Sequence, residues 1–235
     1  MPTTGSRSSP STSSSNMNSQ PILHSPPRLA GIVLAAGRAS RFGSDKRLVP
    51  YNHDYTLLGR SIALIEGFCS QVFVVTRPGD EALDLLSAFR NDAHIEQHIA
   101  PDAVRGMGAS LASGIARVAA YEEEHHQLFD GVLIMLADMP FVQEATITTI
   151  VEGFLPDKII IPSYLQAHKE KKWGNPVLFS RKWFAALHGL NGDRGARALI
   201  KANPCARVEM VVEDAGILRD IDTPGDLDTP DELTQ

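Results

Sequence analysis

Two stretches of this chain are apolar without a break: Val72-Phe73-Val74-Val75 and Val132-Leu133-Ile134-Met135-Leu136. A strand with one wet face alternates apolar and polar residues, so an unbroken run marks a strand covered on both faces. Residues 29–36, ending in Ala35-Ala36, form a third such run. Between the runs the period changes: Leu111, Ile115, Val118 and Ala119 fall at i, i+4, i+7 and i+8, on one face of a helix. The pattern predicts strands over 29–36, 71–76, 94–99, 131–137, 158–162, 176–179 and 206–212. It predicts helices over 56–68, 80–89, 107–121, 143–153, 181–187 and 193–201. Strand and helix in alternation imply an α/β fold, a Rossmann-like, mostly parallel sheet with helices on both faces. Ligands of such sheets bind beyond the carboxyl ends of the strands. The loop after Ala36, Thr76-Arg77 and Ala137-Asp138 all fall on that edge.

Composition sets the outer limits. A chain of 235 residues, 43% of them apolar, suffices for one domain with a sizeable core. Residues 1–27 are rich in Ser, Thr, Pro and Asn and hold no acidic residue, so a disordered tail is expected there. The tail lacks the basic-then-apolar order of a secretory leader. The folded domain is expected over 28–228, with a short C-terminal tail at 229–235. A net charge of −6 argues against a nucleic-acid partner. No apolar stretch has the length of a membrane span, and a cytoplasmic location is expected. Cys69 and Cys205 are too far apart in sequence to suggest a disulfide framework or a zinc site, and Cys69 reads as a core thiol. Glu122-Glu123-Glu124-His125-His126 reads as a solvated helix end rather than a metal cluster. In Asp222-Thr223-Pro224-Gly225-Asp226, Thr caps, Pro takes the first position and an acid follows, which predicts a short turn.

The loop after the first strand, Leu34-Ala35-Ala36-Gly37-Arg38-Ala39-Ser40-Arg41-Phe42-Gly43-Ser44-Asp45-Lys46, is suited to phosphate. Glycines admit close approach of an anion, and successive backbone N–H groups form a concavity for it. Arg38, Arg41 and Lys46 can neutralise a triphosphate. The spacing fits neither the Walker A loop nor the dinucleotide fingerprint G-x-G-x-x-G. Asp138 ends the most apolar strand and suits a divalent cation that bridges phosphate oxygens. In Asp220-Ile221-Asp222, strand alternation would put both carboxylates on one face, where either can complete a site with Asp138. Asp222 serves equally well as part of the turn at Pro224. Gly106-Met107-Gly108-Ala109-Ser110 opens a helix where small residues favour close approach of a ligand and Ser110 can reach a base or ribose. An ordinary helix start accounts for the same residues. Lys172-Trp173-Gly174-Asn175-Pro176-Val177 and Gly192-Asp193-Arg194-Gly195-Ala196-Arg197 can line the far side of the cleft for a second, anionic substrate. Simple pairing of Arg194 and Arg197 with Asp193 is the alternative.

Taken in order, these segments resemble the molybdenum-cofactor nucleotidyltransferases of the MobA/MocA type. The first loop, Gly-Met-Gly-Ala-Ser-Leu at 106–111, Ala-Asp-Met-Pro at 137–140, Gly-Asn-Pro-Val-Leu at 174–178, Gly-Asp-Arg-Gly-Ala-Arg at 192–197 and Asp-Ile-Asp-Thr-Pro at 220–224 carry the resemblance. It implies transfer of an NMP from an NTP to the terminal phosphate of molybdopterin, with release of pyrophosphate and with Mg²⁺. Leu-Ala-Ala-Gly resembles the cytidylyltransferase branch, whereas the guanylyltransferase branch has Leu-Ala-Gly-Gly, so CTP is expected. On that basis Leu34, Ala35, Ala36, Gly37, Lys46 and Ser110 bind the nucleotide. Arg41, Lys46 and Asp138 act in catalysis, and Asp138 with Asp220 or Asp222 holds the metal. Gly174, Asn175, Arg194 and Arg197 take the acceptor. The chain departs from the pattern at Ala39, where the family has Ser, and at Asn175, where many members have His. A molybdoenzyme or its chaperone is the implied partner. A non-catalytic molybdopterin-binding chaperone, or the same fold using GTP, is the alternative reading.

Overall fold

In the computed structural model, residues 26–37, 42, 45–80, 84–89, 92–166 and 170–227 are described. Eight strands form one sheet: β1 Leu29–Leu34, β2 Gln71–Thr76, β3 Ile95–Ile99, β4 Gly131–Leu136, β5 Ile159–Leu165, β6 Lys171–Trp173, β7 Val177–Ser180 and β8 Arg207–Val211. Five α-helices accompany them: α1 Leu57–Glu66, α2 Met107–His125, α3 Glu144–Glu152, α4 Phe184–His188 and α5 Arg197–Ala202. The strand order is β3-β2-β1-β4-β7-β5-β6, with β8 also pairing β5. Strands β1, β2, β3 and β4 pair in parallel, as do β5 and β8, while β7 and β6 run antiparallel to their neighbours. The order reverses between β1 and β4, so their carboxyl ends flank the crevice where such sheets bind ligands.

The unbroken apolar runs have the two-sided burial they imply. Val33, Val74, Leu133 and Met135 pack on one face with Leu58 and Ile62 of α1 and Ile147 and Ile150 of α3. Their neighbours Ile32, Phe73, Val75, Val132 and Ile134 pack on the other with Leu111, Ile115 and Val118 of α2. Cys69 lies in the first of these layers, and burial pushes its thiol pKa up. Among the described residues no helix is long and apolar enough to cross a membrane.

Four expectations need correction. No helix spans 80–89: the described residues 84–89 form a turn and a 3₁₀ segment, Ser87–Phe89. Asp80 is instead drawn into a turn with Arg77, whose backbone N–H donates to the Asp80 carboxylate at 3.1 Å. The helix expected from 193 begins only at Arg197, because Gly192 and Gly195 take left-handed φ values of 71° and 51°. Strand β6 was not anticipated, since Lys171 and Lys172 are exposed and carry no apolar alternation. Finally, α2 runs on to His125, and Glu122 is not solvated. It is buried, ion-paired to Arg181, and accepts a hydrogen bond from the Phe129 N–H at 2.7 Å.

Glu122 thus closes the end of α2 onto the start of β4. Replacing it by Ala strands the Phe129 N–H in a buried position. Glu122→Ala is expected to lower the unfolding free energy by about 1.5–3 kcal/mol, the range for a lost hydrogen bond to a charged group. Urea denaturation measures this, and a loss below about 0.5 kcal/mol would show the contact to be dispensable.

Candidate active site

The site begins where β1 ends. The Ala35 N–H donates to Val75 O at 2.8 Å, and the Ala137 N–H donates to Leu34 O at 3.2 Å, so three strands terminate in register. Beyond them lies a cleft of about 510 Å³, lined among others by Leu34, Ala36, Gly37, Arg77, Ser110 and Asp138. Ala35 does not line it: its side chain is in the core, and its carbonyl accepts from Arg47 Nη1 at 2.9 Å. Arg41 lies outside the described residues, as does Arg38.

The returning end of the loop is held by a guanidinium. Arg47 is 4% exposed. It donates to both oxygens of Asp80, at 2.5 and 2.8 Å, and to both oxygens of Asp45, at 2.8 and 2.5 Å. A buried guanidinium with its donors filled in this way ties the strand end at Ala35, the loop end at Asp45 and the turn after β2 into one unit. Arg77 adds a second tie from the cleft wall, Nη1 donating to Gly37 O at 2.7 Å. Arg47 carries no sequence signal of this role; Arg77 is placed on the ligand-binding edge by its position after a buried strand, without a role of its own.

Lys46 precedes this brace and points the other way. Its Nζ donates to Asp138 Oδ2 at 2.8 Å, to Ile221 O at 2.7 Å and to Asp222 Oδ1 at 3.4 Å. Burial pulls the ammonium pKa down, but the hydrogen bonds to Asp138 and Asp222 outweigh it and hold the value above that of an ordinary lysine. Asp138, Asp220 and Asp222 each offer a carboxylate oxygen, all within 4.8 Å of one another. Burial, with the neighbouring charges of Asp138 and Asp222, pushes the Asp220 pKa up. An all-carboxylate set of this kind fits a hard divalent cation such as Mg²⁺ or Mn²⁺ and lacks the nitrogen or sulfur ligands typical of zinc sites.

The two aspartates meet Asp138 without the strand expected at 220–222. The Ile221 N–H donates to Asp138 O at 2.9 Å and the Ile221 side chain is fully buried beside Phe42 and Leu57, which turns its two neighbours outward. Upstream, the buried Asp214 carboxylate accepts from the Gln143 N–H at 2.9 Å, the Thr146 hydroxyl at 2.7 Å and the Gly216 N–H at 2.8 Å. A remote carboxylate therefore anchors the start of α3, where the Gln143 side chain makes no cap hydrogen bond. Downstream, Asp226 accepts from the N–H groups of Asp222 and Thr223, the backward half of a capping arrangement, and fixes the turn at Pro224.

Ser110 reaches the cleft but its hydroxyl donates to Gly106 O at 3.2 Å. Gly106 has φ 112°, and a Cβ there would lie 2.1 Å from Asp193 Oδ1. The Gly108 N–H donates to Gly192 O at 2.7 Å. The small residues opening α2 thus admit the 191–193 loop, while Gly106, Met107 and Ser110 also line the cleft. Across that loop lies a second cavity of about 310 Å³, which shares Leu34, Met107, Leu136 and Asp193 with the first. Gly174, Asn175, Arg194 and Arg197 all line it. Gly174 sits where a Cβ would be 2.2 Å from Ile217 O, and the Asn175 N–H donates to the same oxygen at 3.0 Å.

Residues 31–208 match the family model described as a MobA-like NTP transferase domain. The chain belongs to that family. The MobA-like chain is 30% identical over 210 residues to the purine catabolism protein PucB of Bacillus subtilis (strain 168), covering 86% of this chain and 95% of that one. It is also 30% identical over 202 residues to the molybdenum cofactor cytidylyltransferase of Escherichia coli (strain K12), covering 86% and 94%. Probable molybdenum cofactor guanylyltransferases are relatives as well, one of them 30% identical over 143 residues, 58% of this chain and 59% of that one. Among solved structures it resembles the manganese complex of Rv0371C from Mycobacterium tuberculosis H37Rv, with TM-score 0.65, 28% identity and coverage of 85% and 95%.

Arg47→Met should strand Asp80 in a buried position and cost about 3–5 kcal/mol of stability by chemical denaturation. The hydrogen bond to Arg47 lowers the Asp45 pKa, and at Asp80 it overcomes a burial effect of opposite sign, so both folded values lie below 3.8. Their contribution is therefore present above the ordinary aspartate range and lost as pH falls through the lower folded values. An acid titration of stability should show this loss in the wild type, and Arg47→Met should remove it.

Proposed function

We propose that this protein transfers CMP from CTP to the terminal phosphate of molybdenum-molybdopterin, releasing pyrophosphate. The observation that carries the reading is one lysine and three carboxylates at the end of β4, beside a cleft that continues into a second cavity. The nucleotide occupies the first cleft, against the backbone of Leu34, Ala36 and Gly37 and beside Ser110. The acceptor occupies the second, against Gly174, Asn175, Arg194 and Arg197. Asp138, Asp220 and Asp222 hold Mg²⁺ or a similar divalent cation, which neutralises charge on the nucleotide phosphates. Lys46, already fixed at that edge, and Arg41 of the loop add positive charge near the α-phosphate.

In the step itself, an oxygen of the acceptor phosphate bonds to the α-phosphorus as the bond from that phosphorus to the β-phosphate oxygen breaks. Pyrophosphate leaves with the electron pair. The attacking oxygen is already anionic, so no general base is required, and catalysis is alignment plus charge neutralisation. Ala36 on the cleft wall places a methyl group where a glycine would leave room, which favours the smaller base. Relatives named as cytidylyltransferase and as probable guanylyltransferase match this chain at 30% and 28% identity over 86% and 85% of it, so the choice of base rests on Ala36. The recipient of the product is a molybdoenzyme or its chaperone, and residues 28–228 are the functional unit.

The deciding assay is pyrophosphate release with each of CTP, GTP, ATP and UTP, with and without molybdenum-loaded molybdopterin. Release with CTP alone, and only with the pterin, is expected. Release with GTP would keep the chemistry and overturn the reading of Ala36, while pterin binding with no release would favour a chaperone. In the same assay Lys46→Ala and Asp138→Ala should each lower kcat/KM by at least about 10²–10³-fold, the scale for removing an electrostatic transition-state contact. Circular dichroism should show that both variants still fold.

A further inference from the structure

Lys46 has a task in the structure that competes with the one proposed for it. An ammonium carries three N–H donors and no more. Lys46 Nζ directs them at protein oxygens: Asp138 Oδ2 at 2.8 Å, Ile221 O at 2.7 Å and, more loosely, Asp222 Oδ1 at 3.4 Å. A lysine that binds phosphate needs at least one donor turned to the nucleotide, so it cannot hold all three oxygens and a phosphate together. The acceptors it holds, two carboxylates and a backbone carbonyl, are also the kind a hard divalent cation takes. Asp138 and Asp222 are two of the three carboxylates that lie within 4.8 Å of one another. A divalent cation on Asp138 would face the ammonium across one shared carboxylate, and two positive charges that close repel strongly away from bulk water. The Lys46 side chain is only 16% exposed, but that of Asp222 is 52% exposed, so an ion can reach the cluster from solvent.

We propose that Lys46 is the resident counter-ion of this cluster and that a divalent cation exchanges with it. The cation takes over Asp138 and Asp222, and the ammonium, released from them, turns to the triphosphate in the adjoining cleft, whose wall includes Asp138. The inference rests on the reading of Asp138, Asp220 and Asp222 as the metal site, and it assigns how that site is regulated. The lysine keeps the carboxylates together while no metal is bound, and it becomes available to phosphate only once a metal has replaced it. Metal occupancy and nucleotide contact by Lys46 are then coupled, which a lysine fixed in place would not give.

The test is a Mn²⁺ titration of the full chain without nucleotide or acceptor, read from the paramagnetic resonance of the free ion, so that it does not depend on turnover. Lys46→Met removes the competing ammonium and is expected to tighten Mn²⁺ binding at least about tenfold, the scale of one hydrogen bond to a charged group. A lysine that merely repels the ion from a fixed position would also tighten binding when removed, so a second measurement on the wild type follows the ammonium itself. Saturating Mn²⁺ should speed acetylation of Lys46 by acetic anhydride several-fold, read by peptide mass spectrometry against the exposed Lys182 as internal reference. That arm needs no variant, so it stands even if Lys46→Met fails to fold. Unchanged or weaker Mn²⁺ binding in Lys46→Met, or Lys46 acetylation that Mn²⁺ leaves unchanged or slows, would each overturn the exchange. Failure of the nucleotidyltransferase reading would show instead as absent pyrophosphate release with the Mn²⁺ titration and the acetylation response intact.

Discussion

Three carboxylates within 4.8 Å of one another repel, and the ammonium of Lys46 is what lets this sheet edge keep them together. Much of the surrounding architecture serves that arrangement. Asp138 is delivered by the buried strand β4, Asp220 and Asp222 by a segment sewn on through Ile221 and Asp214, and Lys46 by the return of a loop braced at both ends. The brace matters because a lysine on a long loop would otherwise lose conformational entropy each time it entered the cluster. Arg47 removes that cost beforehand by burying its guanidinium next door, so Lys46 starts close to its partners. Buried ion pairs contribute little net stability, and their use here is better understood as fixing a geometry.

The parts of the fold that were legible in the sequence are those whose signal is local and repeated. β2 and β4 announce themselves as unbroken apolar runs, and α2 as one apolar face; all three have the expected sides covered. The segment at 80–89 looked helical by composition but is drawn away by a distant partner: Asp80 belongs to Arg47, thirty-three positions earlier. Glu122 sits in a run of acids and histidines that reads as solvent-facing, and only Arg181, fifty-nine residues on, makes its burial intelligible. β6 is invisible because two exposed lysines pair through backbone alone.

The candidate site shows the same division. The spacing Asp220-Ile221-Asp222 correctly suggested two carboxylates on one side, but through strand geometry that is not there. The burial of Ile221 does the work instead. Gly106 and Gly108 form a seat for the 191–193 loop, a role their spacing did not suggest, while Gly106 also stands on the cleft wall. That contact also places Asp193 on the wall between the two cavities, a position no local pattern could reveal.

The two cavities are built from different materials, and this bears on how the protein divides its task. The first lies beyond the strand ends; under the proposed function its backbone groups would bind any nucleoside triphosphate by its shared phosphates and leave discrimination to a few positions such as Ala36. The second is framed by side chains from separate segments, Trp173 and Asn175 from the β6–β7 region and Arg194 and Arg197 from the approach to α5. Backbone cradles follow from the fold and recur wherever it does, whereas a side-chain cavity can be re-cut one residue at a time without disturbing the sheet. Under the proposed function, the acceptor is therefore the substrate this sequence has most freedom to specify. Because Gly174 and Asn175 are pinned to Ile217, only a few residues before Asp220, a change in the acceptor wall is coupled through one short backbone segment to the carboxylates. Under the proposed function, seating of the acceptor and placement of the charge that acts on the nucleotide would be joined through this one segment.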